Sequence, residues 1–436
     1  MSSDLQTLSR KLNYDKTFDC VQCGYCLPAC PTYETMERET HSPRGRINLV
    51  KMVAEGKASV EDLQEPIEKC LGCMACTTVC PTNVQYGEIL EGAMGVIDEY
   101  EAKSTSQRVT EDFLYDSFFP SSKWMNTLGH ATWLYQKSGL QKVAQTFQLT
   151  KIAPLHLDQF EKVLPDLPSP KRRKEQRAKR YIRKRPATAK VAFFPGCIMD
   201  SVFYESNQKT IELLLRSGAE VVLPEAQTCC GALHAHSGKI DTSIELAKQN
   251  IEAFEEETFD FIVNNAGGCG ARLIEYHHLF EKGTRWHERA LEFVAKVKDI
   301  SEVLTGLDEL VFNQPVNRTI TYQPSCHMTN VQGVTEAPLQ LIRSIPGIEL
   351  KELERPNFCC GSAGIYNIVN YEDSMDILDV KMKDVCGVDP DGIVTSNPGC
   401  LLQMKLGVER EGKSDQIESI HLVDLLMEAD PEPAWE

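Results

Sequence analysis

Eight of the seventeen cysteines in this 436-residue chain fall into two identical runs. Cys20, Cys23, Cys26 and Cys30 stand in C-x2-C-x2-C-x3-C followed by Pro31, and Cys70, Cys73, Cys76 and Cys80 repeat that spacing before Pro81. Three closely set thiolates wrap one corner of a cubane, while the fourth is carried away by the chain and ligates a second cubane instead. The spacing predicts two [4Fe-4S] clusters close together. One is expected on Cys20, Cys23, Cys26 and Cys80, the other on Cys30, Cys70, Cys73 and Cys76. Gly24 and Gly72 let backbone pass close to sulfide, and the two prolines are expected to stop a helix from running past the fourth cysteine. Zinc also accepts C-x2-C pairs, but it takes four ligands per ion and gains nothing from a third cysteine at the same short interval.

A second set of thiols lies in the other half. Cys197, the pair Cys229-Cys230 and Cys269 are followed, 129 to 131 residues later, by Cys326, Cys359-Cys360 and Cys400. Each vicinal pair precedes a glycine, Gly231 or Gly361. Two readings stay open: further metal or iron-sulfur cluster sites, or structural or redox-active thiols, a vicinal pair being poor geometry for an ordinary disulfide. His234, His236 and His327 lie beside these motifs as supporting groups or ligands. Cys386 has no partner at motif spacing and reads as a small buried hydrophobe.

The elements that must position these thiols follow from periodicity. SPRGRINLVKMVAEG and GEILEGAMGVIDEYEA read as helices, so residues 1–105 are expected to be a helical two-cluster domain. Arg44 and Arg46, in the first of these, are expected either to hydrogen-bond a cluster edge or dock a partner, or to lie on a helix surface. Residues 106–188 form a helical segment rich in aromatics, Phe118, Phe119, Trp124, Trp133 and Tyr135 among them. It ends in a basic linker, with ten Lys and Arg between Lys171 and Arg185. A solvated linker is the ordinary reading, and contact with anionic lipid or a partner subunit the other.

From Lys190 the pattern alternates: KVAFFPGC, AEVVLPE and FDFIVNN read as strands separated by helices, and RTITYQPSC, IELKELE and GIVTSNPGC repeat the order. Residues 189–310 and 311–436 are thus expected to be two α/β repeats with mainly parallel sheets, their cysteines at strand ends, where such sheets bind ligands. The fold class is mixed, helical and then α/β.

The spacing of the first eight cysteines, with 39 residues between Cys30 and Cys70, resembles the helical ferredoxin domains of succinate dehydrogenase and heterodisulfide reductase type subunits. The later repeats resemble the cysteine-rich CCG domain of heterodisulfide reductase, which holds non-cubane clusters on a motif ending in CxxC. Here Ala266 and Asn397 replace the first cysteine of that CxxC. Over nearly its whole length the chain resembles the iron-sulfur subunit of glycolate oxidase. Similar subunits serve D-lactate dehydrogenases, anaerobic glycerol-3-phosphate dehydrogenase and heterodisulfide reductases, the last with thiol-disulfide chemistry in the CCG half.

The resemblance implies an oxidoreductase subunit without a complete active site of its own. A partner FAD subunit would oxidise glycolate to glyoxylate, or D-lactate. This chain would accept the electrons singly and pass them to a quinone or other acceptor.

Composition agrees with that division of labour. A formal charge of −17 disfavours nucleic acid, whose binding draws largely on Lys and Arg. No G-x-G-x-x-G opens a helix after a strand, and no P-loop is present. The first residues lack a basic and then apolar leader and no long apolar run occurs, so the expected location is the cytoplasm, with peripheral contact at the inner face of the membrane. Seventeen thiols in a reducing compartment point to metal.

Overall fold

The structure, a computed structural model, describes residues 3–101, 103–147, 156–176, 180–182, 186–307 and 310–433. Up to Tyr100 every regular element described is helical: α1 (Ser3–Lys11), α2 (Pro31–Met36), α3 (Pro43–Ala54), α4 (Val60–Glu68), α5 (Ala75–Thr78) and α6 (Tyr86–Tyr100), with short 3-10 turns between. Leu12, Ile47, Val50, Leu63, Ile67, Ile89, Leu90 and Val96 form its core. Burying a side chain of this size stabilises by roughly 1.5–3 kcal/mol. Ser42 caps α3 by accepting from Gly45 N at 3.0 Å, and Ser59 with Asp62 closes a capping box on α4. One expectation is corrected: Pro31 occupies the first turn of α2 and opens a helix, where its missing N–H costs nothing.

The middle segment is helical as far as it is described, with helices at Thr105–Asp112, Ser122–Lys137 and Leu140–Thr146. Its aromatics are unevenly buried. Tyr115 is buried, its hydroxyl 2.7 Å from Ser237 Oγ, whereas Phe113, Trp124 and Phe147 are exposed.

The basic segment departs from a plain linker. Helix Pro170–Gln176 carries Arg173, buried beside Asp200 and Ser201. The strand β1 (Arg180–Tyr181) joins the first repeat's sheet, where Arg180 pairs with Glu220 and, at 2.7 Å, with Glu257. Residues 177–179 and 183–185 of this segment lie outside the described residues.

The first repeat adds β2 (Ala189–Phe193), β3 (Ala219–Val222), β4 (Phe261–Asn264) and β5 (Val297–Asp299). The sheet order is β1-β3-β2-β4-β5, with β1 antiparallel and the rest parallel. Between the repeats lies β6 (Leu310–Phe312). The second repeat contributes β7 (Arg318–Tyr322), β8 (Ile348–Leu350), β9 (Gly392–Thr395) and β10 (Glu418–His421), all parallel in the order β10-β9-β7-β8. A last strand, β11 (Pro431–Pro433), pairs antiparallel with β6. One apolar core runs through both sheets, from Val191, Val221 and Val263 to Ile320, Val394 and Leu425. No described helix is long and apolar enough to cross a membrane.

Candidate iron-sulfur and thiol centre

Strand ends and helix starts place the thiols of the two repeats. β2 ends just before Cys197, which opens a short helix. Cys269 and Cys400 each sit in the first turn of the helices that follow β4 and β9. The Cys-Cys-Gly turns bring in the rest. Gly231 and Gly361 adopt φ of +82° and +88°, and a Cβ there would stand 2.8 Å from Ser243 Oγ and 2.7 Å from Ser374 O, so only glycine fits.

Each repeat thereby joins its four thiols in one chain of neighbours. Cys197 Sγ lies 3.7 Å from Cys229 Sγ, Cys229 adjoins Cys230, and Cys230 hydrogen-bonds Cys269. In the second repeat Cys326 meets Cys359, Cys359 meets Cys360, and Cys360 meets Cys400. Hydrogen bonds from Cys229 and Cys269 hold the Cys230 thiol well below its usual range, while Cys197 and Cys230 push Cys229 up. In the second repeat the bond to Cys359, followed by burial, raises Cys326.

The two positions lacking the extra cysteine are filled otherwise. Ala266 is buried against Met199, Phe203 and Leu401. Asn397 accepts from Gly268 N at 3.0 Å and donates to Cys400 Sγ at 3.5 Å, so it ties one repeat's thiol loop to the other's.

In the helical domain the eight cysteines ring two small cavities. One is lined by Cys20, Cys23, Cys26, Cys76 and Cys80, the other by Cys30, Cys70, Cys73 and Cys76, so Cys76 borders both. Cys30 and Cys80 each sit with the opposite run. Gly24 and Gly72, both at positive φ, turn the loops. Burial, then the neighbouring Cys326 and Cys76, push the Cys73 thiol well up; burial, then Cys70 and Cys30, do the same to Cys76. Thiols gathered round each hollow suit a cationic cluster core. Among the described residues no group of three or more His, Cys, Asp or Glu side chains is set to hold a single metal ion.

Further side chains line these cavities, Arg46, Thr32 and Tyr86 at one and Arg44 and Thr82 at the other. Arg46 is 1% exposed, donating from Nε to Pro66 O at 2.6 Å and from Nη2 to Thr32 Oγ1 at 3.0 Å. Burial works against its charge, but Cys70, Tyr86 and Cys30 outweigh that and raise its pKa. Arg44, by contrast, is a partly exposed partner of Glu39 at 2.7 Å. Tyr86 Oη is 3.3 Å from Cys70 Sγ. Thr32 Oγ1 and Thr82 Oγ1 lie 3.3 and 3.4 Å from the sulfurs of Cys30 and Cys80. A signal for these threonines was present, since both runs end Cys-Pro-Thr.

The helical domain is seated on both repeats. Arg355 pairs with Glu34 at 2.5 Å, Lys69 with Asp373, Arg272 with Glu91 at 2.9 Å and Lys239 with Asp98 at 3.0 Å. Asn330 donates to Cys73 O at 2.8 Å. Leu71 and Cys73 are packed with Phe358, Cys359 and Tyr366, and Cys326 borders the same group.

The histidines divide. His234 is buried, its Nε2 2.7 Å from Tyr115 O, and supports the fold. His236 and His327 have rings 5.6 Å apart and both border a cavity of about 740 Å³ between the helical domain and the repeats. Cys386 is only partly buried against the second repeat's outer core, a correction to the expectation of full burial.

Comparison with known proteins agrees with these landmarks. Residues 16–84 match the 4Fe-4S dicluster domain, 106–164 the linker region of the glycolate oxidase iron-sulfur subunit, and 191–274 and 320–405 the cysteine-rich CCG domain. The chain is 47% identical over 426 residues to a probable glycolate oxidase iron-sulfur subunit of Bacillus subtilis, covering 96% of this chain and 95% of that one. It is 26% identical to the glycolate oxidase iron-sulfur subunit of Escherichia coli, covering 92% and 93%. It is also 34% identical to lactate utilization protein A of Oceanobacillus iheyensis, covering 54% of this chain and 96% of that one.

Proposed function

Since the chain belongs to the family of glycolate oxidase iron-sulfur subunits, we propose that it carries electrons within the complex from a flavoprotein partner to an acceptor. The partner would oxidise glycolate to glyoxylate, or D-lactate, on FAD. The acceptor would be a quinone, and this chain would hold no complete active site alone. The observation that carries the reading is a graded row of thiols. It runs from the outer cavity with exposed Cys23, through the inner cavity with buried Cys30 and Cys73, to Cys326 and Cys359 of the second repeat.

In this reading Cys20, Cys23, Cys26 and Cys80 hold an outer [4Fe-4S] cluster, and Cys30, Cys70, Cys73 and Cys76 an inner one. A bound cubane supplies one-electron exchange with little change in geometry. The chain's own residues do the tuning. Arg46, Tyr86 and Thr32 set positive charge and hydroxyl groups against the inner thiolates, and Thr82 does so at the outer set. Phe18, Val21 and Tyr25 are exposed near Cys23 and offer an apolar face for the electron donor. The protein would work in the cytoplasm, held to the membrane face through its complex.

Anaerobic purification with bound partners, followed by glycolate, D-lactate or glycerol 3-phosphate, tests this. Bleaching of the cluster absorbance by a hydroxy acid, only with the flavoprotein present, is expected, with about eight iron atoms per chain from the two cubanes. A colourless, iron-free protein that supports full activity ends the proposal.

A second reading, disulfide or thiol chemistry in the CCG half, is favoured by one observation, the depressed Cys230 thiol within a chain of touching sulfurs. Full complex activity after Cys229→Ser with Cys230→Ser would exclude it.

A further inference from the structure

The two repeats share one support beneath their Cys-Cys-Gly turns. Ser243 Oγ donates to Gly231 O at 3.1 Å, and Ser374 Oγ to Gly361 O at 2.9 Å. From these serines onward the repeats run in step, 131 residues apart, through β4 and β9 to Cys269 and Cys400. Two buried positions close to the thiols can therefore be compared one for one: Asn250 with Lys381, and Arg272 with Gln403.

Each position holds a cation in one repeat and a neutral amide in the other. Arg272, 3% exposed, donates from Nη2 to Ser243 Oγ at 2.8 Å, and Gln403, fully buried, donates to Ser374 Oγ at 2.9 Å in its place. Lys381, also fully buried, donates from Nζ to Arg355 O at 2.6 Å, four residues ahead of Cys359. Asn250, at the same point of the first repeat, donates to Cys229 O at 3.0 Å and accepts from Thr228 N at 2.8 Å. The charge has changed places, yet at these two positions each repeat keeps one buried cation.

An amide fits either position, as the opposite repeat shows, so packing alone does not ask for the charge. Burying a cation is costly unless negative charge faces it. Each cation has one carboxylate partner, Glu91 at 2.9 Å and Asp384 at 3.4 Å, and each carboxylate is less buried than the cation it meets. The sulfurs lie within the same electrostatic reach: Arg272 acts on Cys230, and Cys360 and Cys359 act on Lys381. Four adjoining sulfurs with one buried cation suit an anionic iron-sulfur group, whose net charge helps to set its potential.

We propose that Arg272 and Lys381 are counterpart positioning residues, each supplying the buried positive charge that poises its own repeat's sulfurs to hold a reducible, negatively charged group. They do so from non-equivalent helices, Gly267–Ile274 and Tyr371–Val388. The assignment rests on the electron-carrier reading, which gives those sulfurs a redox group to hold.

The test moves the charge within one repeat of the cluster-loaded protein. Anaerobic redox titration followed by electron paramagnetic resonance first assigns each repeat's signal, as the one that Cys230→Ser or Cys360→Ser removes. Arg272→Gln gives the first repeat the amide that the second already uses and keeps a donor for Ser243. Its signal should become harder to reduce by roughly tenfold, about 59 mV for one electron, while the second repeat's signal stays put. Adding Asn250→Lys returns the cation at the position Lys381 occupies and should recover most of that shift, and Arg272→Lys should show little of it. Lys381→Asn, with and without Gln403→Arg, repeats the experiment in the second repeat should Arg272→Gln not fold. A shift that the transplanted lysine leaves uncorrected, unchanged potentials in both Arg272→Gln and Lys381→Asn, or no signal that depends on either Cys230 or Cys360 would overturn the assignment. Shifts that appear and recover in a protein no hydroxy acid bleaches support the assignment and sink the donor reading. Hydroxy-acid bleaching with unmoved potentials sinks the assignment alone.

Discussion

Replacing Arg46 by Met keeps an apolar stem of similar length and removes one buried charge. That charge lies among Cys30, Cys70 and Tyr86, with Nε and Nη2 fixed by Pro66 O at 2.6 Å and Thr32 Oγ1 at 3.0 Å. A unit charge about 6 Å from a redox centre, at an effective dielectric near 20, is worth about 3 kcal/mol, which for one electron is about 120 mV. The positive charge favours the reduced, more negative form, so the variant's inner potential should fall by about that amount. The bare Pro66 carbonyl and unmatched thiolates should also cost about 3 kcal/mol of stability. Arg46→Lys keeps the charge and loses the fork, so its potential should move much less. Anaerobic spectroelectrochemical titration of the three proteins, with iron analysis on each, measures this. If Arg46→Met retains full iron and both potentials stay within about 20 mV of the parent, the electrostatic account of the inner site is wrong.

Further outcomes follow from other positions. Asp299 is fully buried, accepts from Ser301 N at 2.8 Å and Ser301 Oγ at 2.6 Å, and burial lifts it from 3.8 to about 6. The folded protein keeps this proton after the unfolded chain has lost it. Stability should therefore fall by up to about 3 kcal/mol as pH rises from about 4 to about 6 and stay level above; Asp299→Asn should remove that slope in denaturation midpoints. Gly361→Ala places a Cβ 2.7 Å from Ser374 O at φ +88° and should lower stability by about 2 kcal/mol or more in the same assay. Cys386→Ala should leave iron content and spectra unchanged, because its sulfur joins neither thiol chain, whereas Cys360→Ser should alter whatever the second repeat holds, read by iron analysis and electron paramagnetic resonance.

Local spacing carried much of this site into view. Two runs of four cysteines and two Cys-Cys-Gly turns are contiguous in sequence, β2, β4, β7 and β9 follow from runs that lead to cysteines, and β3 from the apolar run AEVVL before a proline. What escaped was tertiary. For Arg46 the sequence left a cluster-edge role and a helix-surface role both open, and only the packing of α3 on α4 beneath Pro66 buries it. β5 and β10 are short and carry charged or polar residues that blur their period, and β1 hides in a run of Lys and Arg. Pro31 misled because Pro at a first helical turn and Pro after a last one look identical in sequence.

The lid over Cys73 also sets a clock. Phe358, Cys359 and Tyr366, which cover it, leave the ribosome roughly 290 residues after it, a delay of about 15 to 60 s at ordinary rates of synthesis. During that interval the inner cysteine loop stands open to whatever delivers iron and sulfide. Once the second repeat docks, with Arg355 on Glu34 and Asn330 on the Cys73 carbonyl, Cys73 is covered. A loaded inner site is then covered on its Cys73 side, while Cys70 still borders the open cavity between the helical domain and the repeats.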